Sequence, residues 1–304
     1  MTTTEPRTTP STTGATETWQ VGDVTIRAFV ELDTPAPIEL FFPDRTAADV
    51  LADADRLGPY ATPEGWLTFS VHGFVVDDGA QRILVDGGIG NAKTRPVPWF
   101  DHLDTPVLDR LVAAGCAPDS IDVVVATHLH TDHVGWFTRA AGEPGRDEWV
   151  PTFPRARHLI VREEQAHWER ADPTDPERTY LADSVAPVAA AGLVDLVPAD
   201  HAVSPSVRLV PTPGHSPGHV SVLIESSGAS AVITGDLLHH PIQVLHPEWD
   251  GPFDEDTATS AATRRAFLER FADTDTLVLG THVSTPRAGR IVSTPGGFAW
   301  SPAG

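Results

Sequence analysis

Six consecutive residues, His128-Leu129-His130-Thr131-Asp132-His133, place four ligand-type side chains one residue, Thr127, after the short apolar run Ile121 to Ala126. A nearly continuous apolar run of that length is the pattern of a strand buried on both faces, so this cluster must sit where a core strand ends. In an extended segment, residues 128 and 130 project to one side. A turn into a helix at Asp132 then brings 132 and 133 round to a neighbouring point. Three imidazoles and a carboxylate exceed what one tetrahedral structural site needs, whereas they can seed two adjacent metal sites.

Three further candidates each sit in a small-residue turn after a predicted strand: Thr212-Pro213-Gly214-His215, Thr234-Gly235-Asp236 and Leu279-Gly280-Thr281-His282. Glycine there lets the backbone pass close to a metal centre. Each residue alone has an ordinary alternative: His128 and His130 as core histidines, His215 as a turn residue, Asp236 as a helix cap, His282 in solvent. Seven ligand-type residues at strand ends point to a metal centre rather than to seven coincidences. The single cysteine, Cys116, excludes an intramolecular disulfide framework and any CxxC motif, and reads as a packed small hydrophobe.

Strands are predicted over Val24 to Glu31, Leu67 to Asp77, Arg82 to Val85, Ile121 to Ala126, His158 to Val161, Val207 to Val210, His219 to Glu225, Ala229 to Thr234, Thr276 to Leu279 and, last, Arg290 to Ser293. The pair flanking Ser226-Ser227-Gly228 reads as a hairpin. Helices are predicted over Pro106 to Ala114, Glu163 to Arg170, Pro176 to Ala191 and Thr257 to Phe271. With 304 residues, 40% of them hydrophobic, this order fits one layered domain over 19–304 behind a disordered Thr/Pro-rich tail, 1–18. The stretch from Pro35 to Pro63 has few strand signals and reads as an inserted arm or lid. A formal charge of −21 disfavours nucleic acid and anionic membrane surfaces as partners. No stretch approaches the roughly 18–20 apolar residues that span a bilayer, and the reading of location is cytoplasmic.

The order His-x-His-x-Asp-His, Pro-Gly-His, Gly-Asp and a late Gly-Thr-His, preceded by Val85-Asp86-Gly87-Gly88, resembles the metallo-β-lactamase superfamily of hydrolases over roughly residues 19 to 293. The likeness is to its N-acyl-homoserine lactone lactonase and methyl parathion hydrolase-like branch. That resemblance implies an α/β fold, a four-layer αββα sandwich with the metals at one edge. It implies that His128, His130 and His215 hold one metal, Asp132, His133 and His282 a second, and that Asp236 bridges both. Two divalent ions are expected, zinc first, with manganese, iron or cobalt compatible with such ligands. It also implies a homodimer.

A metal pair of this kind lowers the pKa of a shared water and supplies hydroxide at neutral pH, so no Ser or Cys nucleophile is needed. Asp132 is expected to ligate and to shuttle a proton, and Asp86 to orient a histidine ligand or the 127 to 133 turn. His239, three residues after Asp236, stands where lactonases of the family commonly have a tyrosine, and reads either as substrate-facing or as support. Either imidazole form could donate the same hydrogen bond. His219 and His240 read as structural. Among Trp66, Phe69, Phe74, Trp99, Phe100, Trp136 and Phe137, the expected pocket residues are Trp136 and Phe137, because they follow the ligand turn directly.

The leading functional reading is a dinuclear hydrolase of small hydrophobic lactones or carboxylic esters, acyl-homoserine lactones among them, with organophosphate triesters as the nearest alternative. Glutathione thioesters fit poorly, since Lys93 is the only lysine in the chain. A mononuclear iron enzyme would not need both His133 and His282, and a non-catalytic scaffold would be expected to lack ligands.

Overall fold

In the computed structural model, which describes residues 17–142, 148–170 and 179–303, two mixed sheets carry the chain. The first is ordered β1 (Thr18–Val21), β2 (Val24–Ala36), β3 (Leu67–Asp77), β4 (Arg82–Val85) and β5 (Val123–Val125). Beyond a separate two-stranded ribbon of β6 (Thr138–Ala140) and β7 (Trp149–Pro151), it continues with β8 (Arg157–Val161) and β9 (Val194–Val197). The second sheet is ordered β10 (Val207–Pro211), β11 (Val220–Ser226), β12 (Ala229–Ile233), β13 (Leu277–Leu279), β14 (Ala288–Thr294) and β15 (Gly297–Pro302). Helices α1 (Ala47–Ala52) and α2 (Ala54–Leu57) follow β2, and α3 (Val107–Ala113) precedes β5. Next come α4 (Thr131–Val134), α5 (Arg162–Glu169), α6 (Tyr180–Ser184), α7 (Ala186–Ala190), α8 (Ile242–Leu245) and α9 (Thr257–Phe271).

Alternation along the strands creates four layers, because successive side chains of a strand point to opposite faces. Phe74 and Val76, Ile83 and Val85, and Val125 point into a core shared with Val220, Val222, Ile224, Ala231 and Ile233 of the other sheet. Val75, Leu84 and Val124 point the opposite way, onto Val107 and Leu111 of α3 and Val188 of α7. On the far side Leu223, Val232 and Val278 pack on Phe267, Leu268 and Phe271 of α9. This is an αββα sandwich. Strands buried on both faces explain why their sequences run nearly continuously apolar.

Strand direction gathers the turns. β10 and β12 both run antiparallel to β11, and β13 runs parallel to β12. The carboxyl ends of β10, β12 and β13 therefore share one edge, from which the turns bearing His215, Asp236 and His282 leave. β5, parallel to β4, delivers the 128–133 run at the end of the first sheet.

Leu67–Asp77 and Thr257–Phe271 form the expected elements with the expected bounds. Several strands are not anticipated by the sequence reading: β1, β6, β7, β9 and the final β15, which makes β14 the penultimate rather than the last strand. They are short or polar on one face, as edge and ribbon strands tend to be. Residues 1–16 of the expected tail and 176–178 of the expected helix lie outside the described residues. Glu17 and Thr18, assigned to the tail by composition, belong to the fold: the Glu17 carboxylate pairs with the Arg287 guanidinium, and Thr18 opens β1. The Pro35 to Pro63 stretch is packed rather than detached, with Ile38, Phe41, Phe42, Val50 and Leu57 buried in one apolar cluster. Among the described residues, no helix is long and apolar enough to cross a membrane.

Candidate metal centre

Asp86 starts the construction. It adopts a left-handed backbone conformation, φ 60°, which aspartate tolerates better than most residues. From there its carboxylate accepts the Thr127 N–H (2.8 Å) and Oγ–H (2.9 Å), tying the end of β4 to the end of β5. The same carboxylate lies 2.9 Å from His133 Nδ1. The chain bends at Thr127 and His128, is extended again at His130, and enters α4, whose second and third residues are Asp132 and His133.

Two groups of donor atoms result, His128, His130, His215 and Asp236 in one and Asp132, His133 and His282 in the other, with the atoms of each group within 4.8 Å of one another. Asp236 stands between them. Its Oδ1 is 3.1 Å from both His133 Nε2 and His282 Nε2, while its Oδ2 is 3.3 Å from His215 Nε2 and 3.7 Å from His128 Nε2. Asp132 Oδ2 lies 3.6 Å from His282 Nε2. Gly235, at φ 56°, makes this placement feasible, because a Cβ there would meet His219 Nε2 at 2.6 Å. That same nitrogen accepts the Asp236 N–H at 2.9 Å, so buried His219 holds the turn in place.

The donor set fits divalent metal ions. His128 Nε2, His133 Nε2 and Asp236 Oδ1 are buried without a hydrogen-bond partner, and His215 Nε2 converges on His130 Nδ1 at 2.9 Å. Buried polar atoms left this way are costly unless something else satisfies them. Meanwhile the outer ring nitrogens are fixed: His133 by Asp86, His215 Nδ1 by Asp254 (2.9 Å) and His282 Nδ1 by the Ser70 carbonyl (2.7 Å). Metal-ligating histidines are held in this manner. Burial keeps the His128 and His130 imidazoles well below the usual histidine range, and their histidine neighbours push the same way. They are thus neutral donors at pH 7. For His133, burial is outweighed by the Asp236, Asp86 and Asp132 carboxylates, which raise it well above that range. Burial likewise opposes the ionised Asp236, but the His133, His282 and His128 rings hold its carboxyl well below the carboxylate range.

A cavity of about 430 Å³ opens onto the centre. It is lined by the polar side chains of Asp132, Asp236, His130, His239 and His282 and by the aromatic rings of Phe41, Phe69, Trp99, Phe100, Trp168, Tyr180 and Phe253. His239 Nε2 lies 3.3 Å from Asp236 Oδ2, and burial lowers its pKa from the usual histidine value. Trp136 and Phe137, expected at the pocket, are placed in the helix-facing core instead. The reason is a bulge in β2 at residues 30–32 that aims Glu31 inward, where it accepts the Trp136 Nε1–H at 2.8 Å. Trp66 and Phe74 also lie away from the cavity, Phe74 being packed on Trp19. His240 is structural, donating Nε2–H to the Tyr60 carbonyl (2.9 Å) and accepting from Ile242 N–H (3.1 Å).

Glu164 on α5, which no motif announces, joins the two histidine-bearing loops. Its carboxylate accepts the backbone N–H groups of Leu129 and Gly218, both at 3.0 Å, and the Ser216 hydroxyl and Trp168 indole, both at 2.6 Å. Replacing Glu164 with alanine would strand several buried donors, so we expect the unfolding free energy to drop by about 3–5 kcal/mol. Chemical denaturation of the variant against wild type measures this, and a loss below about 1 kcal/mol would contradict the assigned role.

A family model described as Metallo-beta-lactamase superfamily matches residues 67–282. A Bacillus sp. N-acyl homoserine lactonase is 26% identical over 199 residues, covering 62% of this chain and 71% of that protein. Among solved structures, hydrolase AbOPH of the beta lactamase superfamily superposes with a TM-score of 0.77 at 27% identity, covering 95% of this chain and 97% of that one. AidC, described as a dizinc quorum-quenching lactonase, superposes with a TM-score of 0.78 at 21% identity over the same shares, a likeness of fold.

Proposed function

The chain belongs to the metallo-beta-lactamase superfamily, and we propose that this hydrolase holds two divalent ions, zinc first, and cleaves small neutral lactones or carboxylic esters with an apolar arm. One observation carries the reading: Asp236 divides its two oxygens between two groups of imidazoles, the arrangement of a carboxylate that bridges a metal pair. His128, His130 and His215 would hold one ion, Asp132, His133 and His282 the other. When bound, such a pair supplies Lewis-acid polarisation of the acyl oxygen and an acidified water near neutral pH.

The remaining steps belong to the chain. Asp132, which lines the cavity, can take a proton on its carboxylate and return it to the leaving oxygen. His239 faces the cavity and can donate a ring N–H to the substrate carbonyl. The aromatic walls exclude water from the reacting atoms and take up the apolar arm. No lysine or arginine is among the described residues lining the cavity, whose charged members are Asp132, Asp236 and Glu255, and this favours neutral substrates over carboxylates or thioesters of anionic peptides. Lys93 is buried against Asp183, at 3.1 Å, and is not available to an anion.

The test combines metal content per chain with a pH-indicator screen of lactones, aryl esters and phosphotriesters on one preparation. Near two metals with lactone or ester turnover is the expected result; preferential triester turnover would transfer the same centre to phosphorus chemistry. His239→Phe is expected to lower kcat/KM about a hundredfold with both metals retained. Metal loss from that variant would reassign His239 to the centre itself.

A further inference from the structure

Each metal group contains one histidine backed by a carboxylate. In one group it is His133, backed by Asp86; in the other it is His215, whose Nδ1 lies 2.9 Å from Asp254 Oδ1 with both side chains buried. We propose that Asp254 is a positioning residue that fixes the ring of His215, and that its segment makes one unit of the first metal group and a wall of the cavity. The inference rests on the dinuclear reading above.

Three contacts clamp the segment onto the His215 turn. Besides the Asp254 carboxylate, Glu255 N–H donates to the His215 carbonyl (3.0 Å) and Asp256 N–H to the Gly214 carbonyl (2.9 Å). Asp256 then caps α9 by accepting the Thr259 N–H at 3.0 Å, so the clamp is seated on a fifteen-residue helix. The same helix reaches Asp236: Arg264 Nε donates to the Leu237 carbonyl (2.9 Å), one residue beyond the bridging carboxylate.

Asp254 also gives Arg264 a buried counter-charge, but its hydrogen bond is to His215. The guanidinium is already occupied by the Leu237, Pro247 and Trp249 carbonyls and the Ser260 hydroxyl, all within 3.1 Å, whereas its distance to Asp254 is 3.6 Å. The shorter contact of Asp254 is the one to His215. Its neighbours Phe253 and Glu255 line the cavity, and the Phe253 ring centroid is 6.5 Å from that of His239.

Chelator-stripped wild type, Asp254→Asn, Asp254→Ala and Asp250→Asn would be titrated with Co²⁺, reading affinity and the visible cobalt spectrum. Asp250 contacts the same Arg264 at 3.5 Å but is not among the partners of His215, so its variant controls for loosening of the segment. We expect one of two cobalt equivalents to bind about 10–100-fold more weakly in Asp254→Ala and about tenfold more weakly in Asp254→Asn, with an altered spectrum for that equivalent alone. Asp250→Asn should bind both as wild type does. Wild-type affinity and spectrum in Asp254→Asn, or the same loss in Asp250→Asn, overturns the proposal, and the asparagine variant decides should the alanine variant not fold. Failure of wild type to take up cobalt would overturn the dinuclear reading instead.

Discussion

Asp236→Ala is expected to lower kcat/KM by at least about a thousandfold, about 4 kcal/mol of transition-state stabilisation, together with loss of metal from both sites. The size follows from the position of the carboxylate. Its oxygens lie within 3.1–3.7 Å of His128, His133, His215 and His282, so this one carboxylate faces imidazoles of both groups. It also supplies the first of the carboxylate charges that outweigh burial and hold His133 and His282 above the usual histidine range. Removing it leaves converging imidazoles without a buried counter-charge. Asp236→Asn keeps the shape but replaces one oxygen by an N–H donor aimed at ring nitrogens, so it should lose metal nearly as severely. Metal content by plasma emission spectroscopy, measured beside turnover, separates this from the His239→Phe outcome, where both ions stay. Turnover within tenfold of wild type, with two metals still bound, would remove Asp236 from the centre.

How much of this was legible depends on distance along the chain. The run 128–133 is contiguous, and the turns at 215, 236 and 282 each follow an apolar strand, so periodicity and turn residues locate all seven side chains. What lies outside such a local signal is the support. Asp254 is 39 residues from His215, and Glu164 is 35 residues from Leu129 and 54 from Gly218, with nothing in the intervening sequence to pair them. The cavity lining escapes a sequence reading for a related reason. Trp136 stands close to the ligands in sequence, but its indole N–H is claimed by Glu31, 105 residues away, through a bulge that an alternating pattern does not announce. Phe41, Trp168, Tyr180 and Phe253 reach the cavity from four separate elements or loops, each unremarkable alone.

Acid is expected to destabilise the fold steeply below about pH 6.5, and for reasons that lie partly outside the metal centre. Burial holds His158 down to about 4 and His219 and His240 down to about 3, against about 6.5 in an unfolded chain. Hydrogen bonding demands the same protonation state. His240 donates at Nε2 and accepts at Nδ1, and His219 accepts the Asp236 N–H at Nε2 while its Nδ1 faces the Thr212 carbonyl, so a second ring proton would displace a donor in either case. Groups depressed in the folded state contribute stability above pH 6.5 that is lost as pH falls toward their folded values. By pH 5 each costs about 2 kcal/mol, about 6 in all, comparable with the whole stability of many domains. His133 and His282, raised in the folded state, contribute a constant amount below pH 6.5 and cannot cancel this slope. Guanidinium unfolding at pH 8, 7, 6 and 5, on metal-loaded and chelator-stripped protein, distinguishes proton uptake by the core from acid release of metal. His158, beside Phe137 in the core, offers the cleanest control. His158→Phe should flatten the dependence by about 1.4 kcal/mol per pH unit, one proton's share. A stripped protein whose stability is level from pH 7 to 5 would mean that these imidazoles accept protons without unfolding the chain.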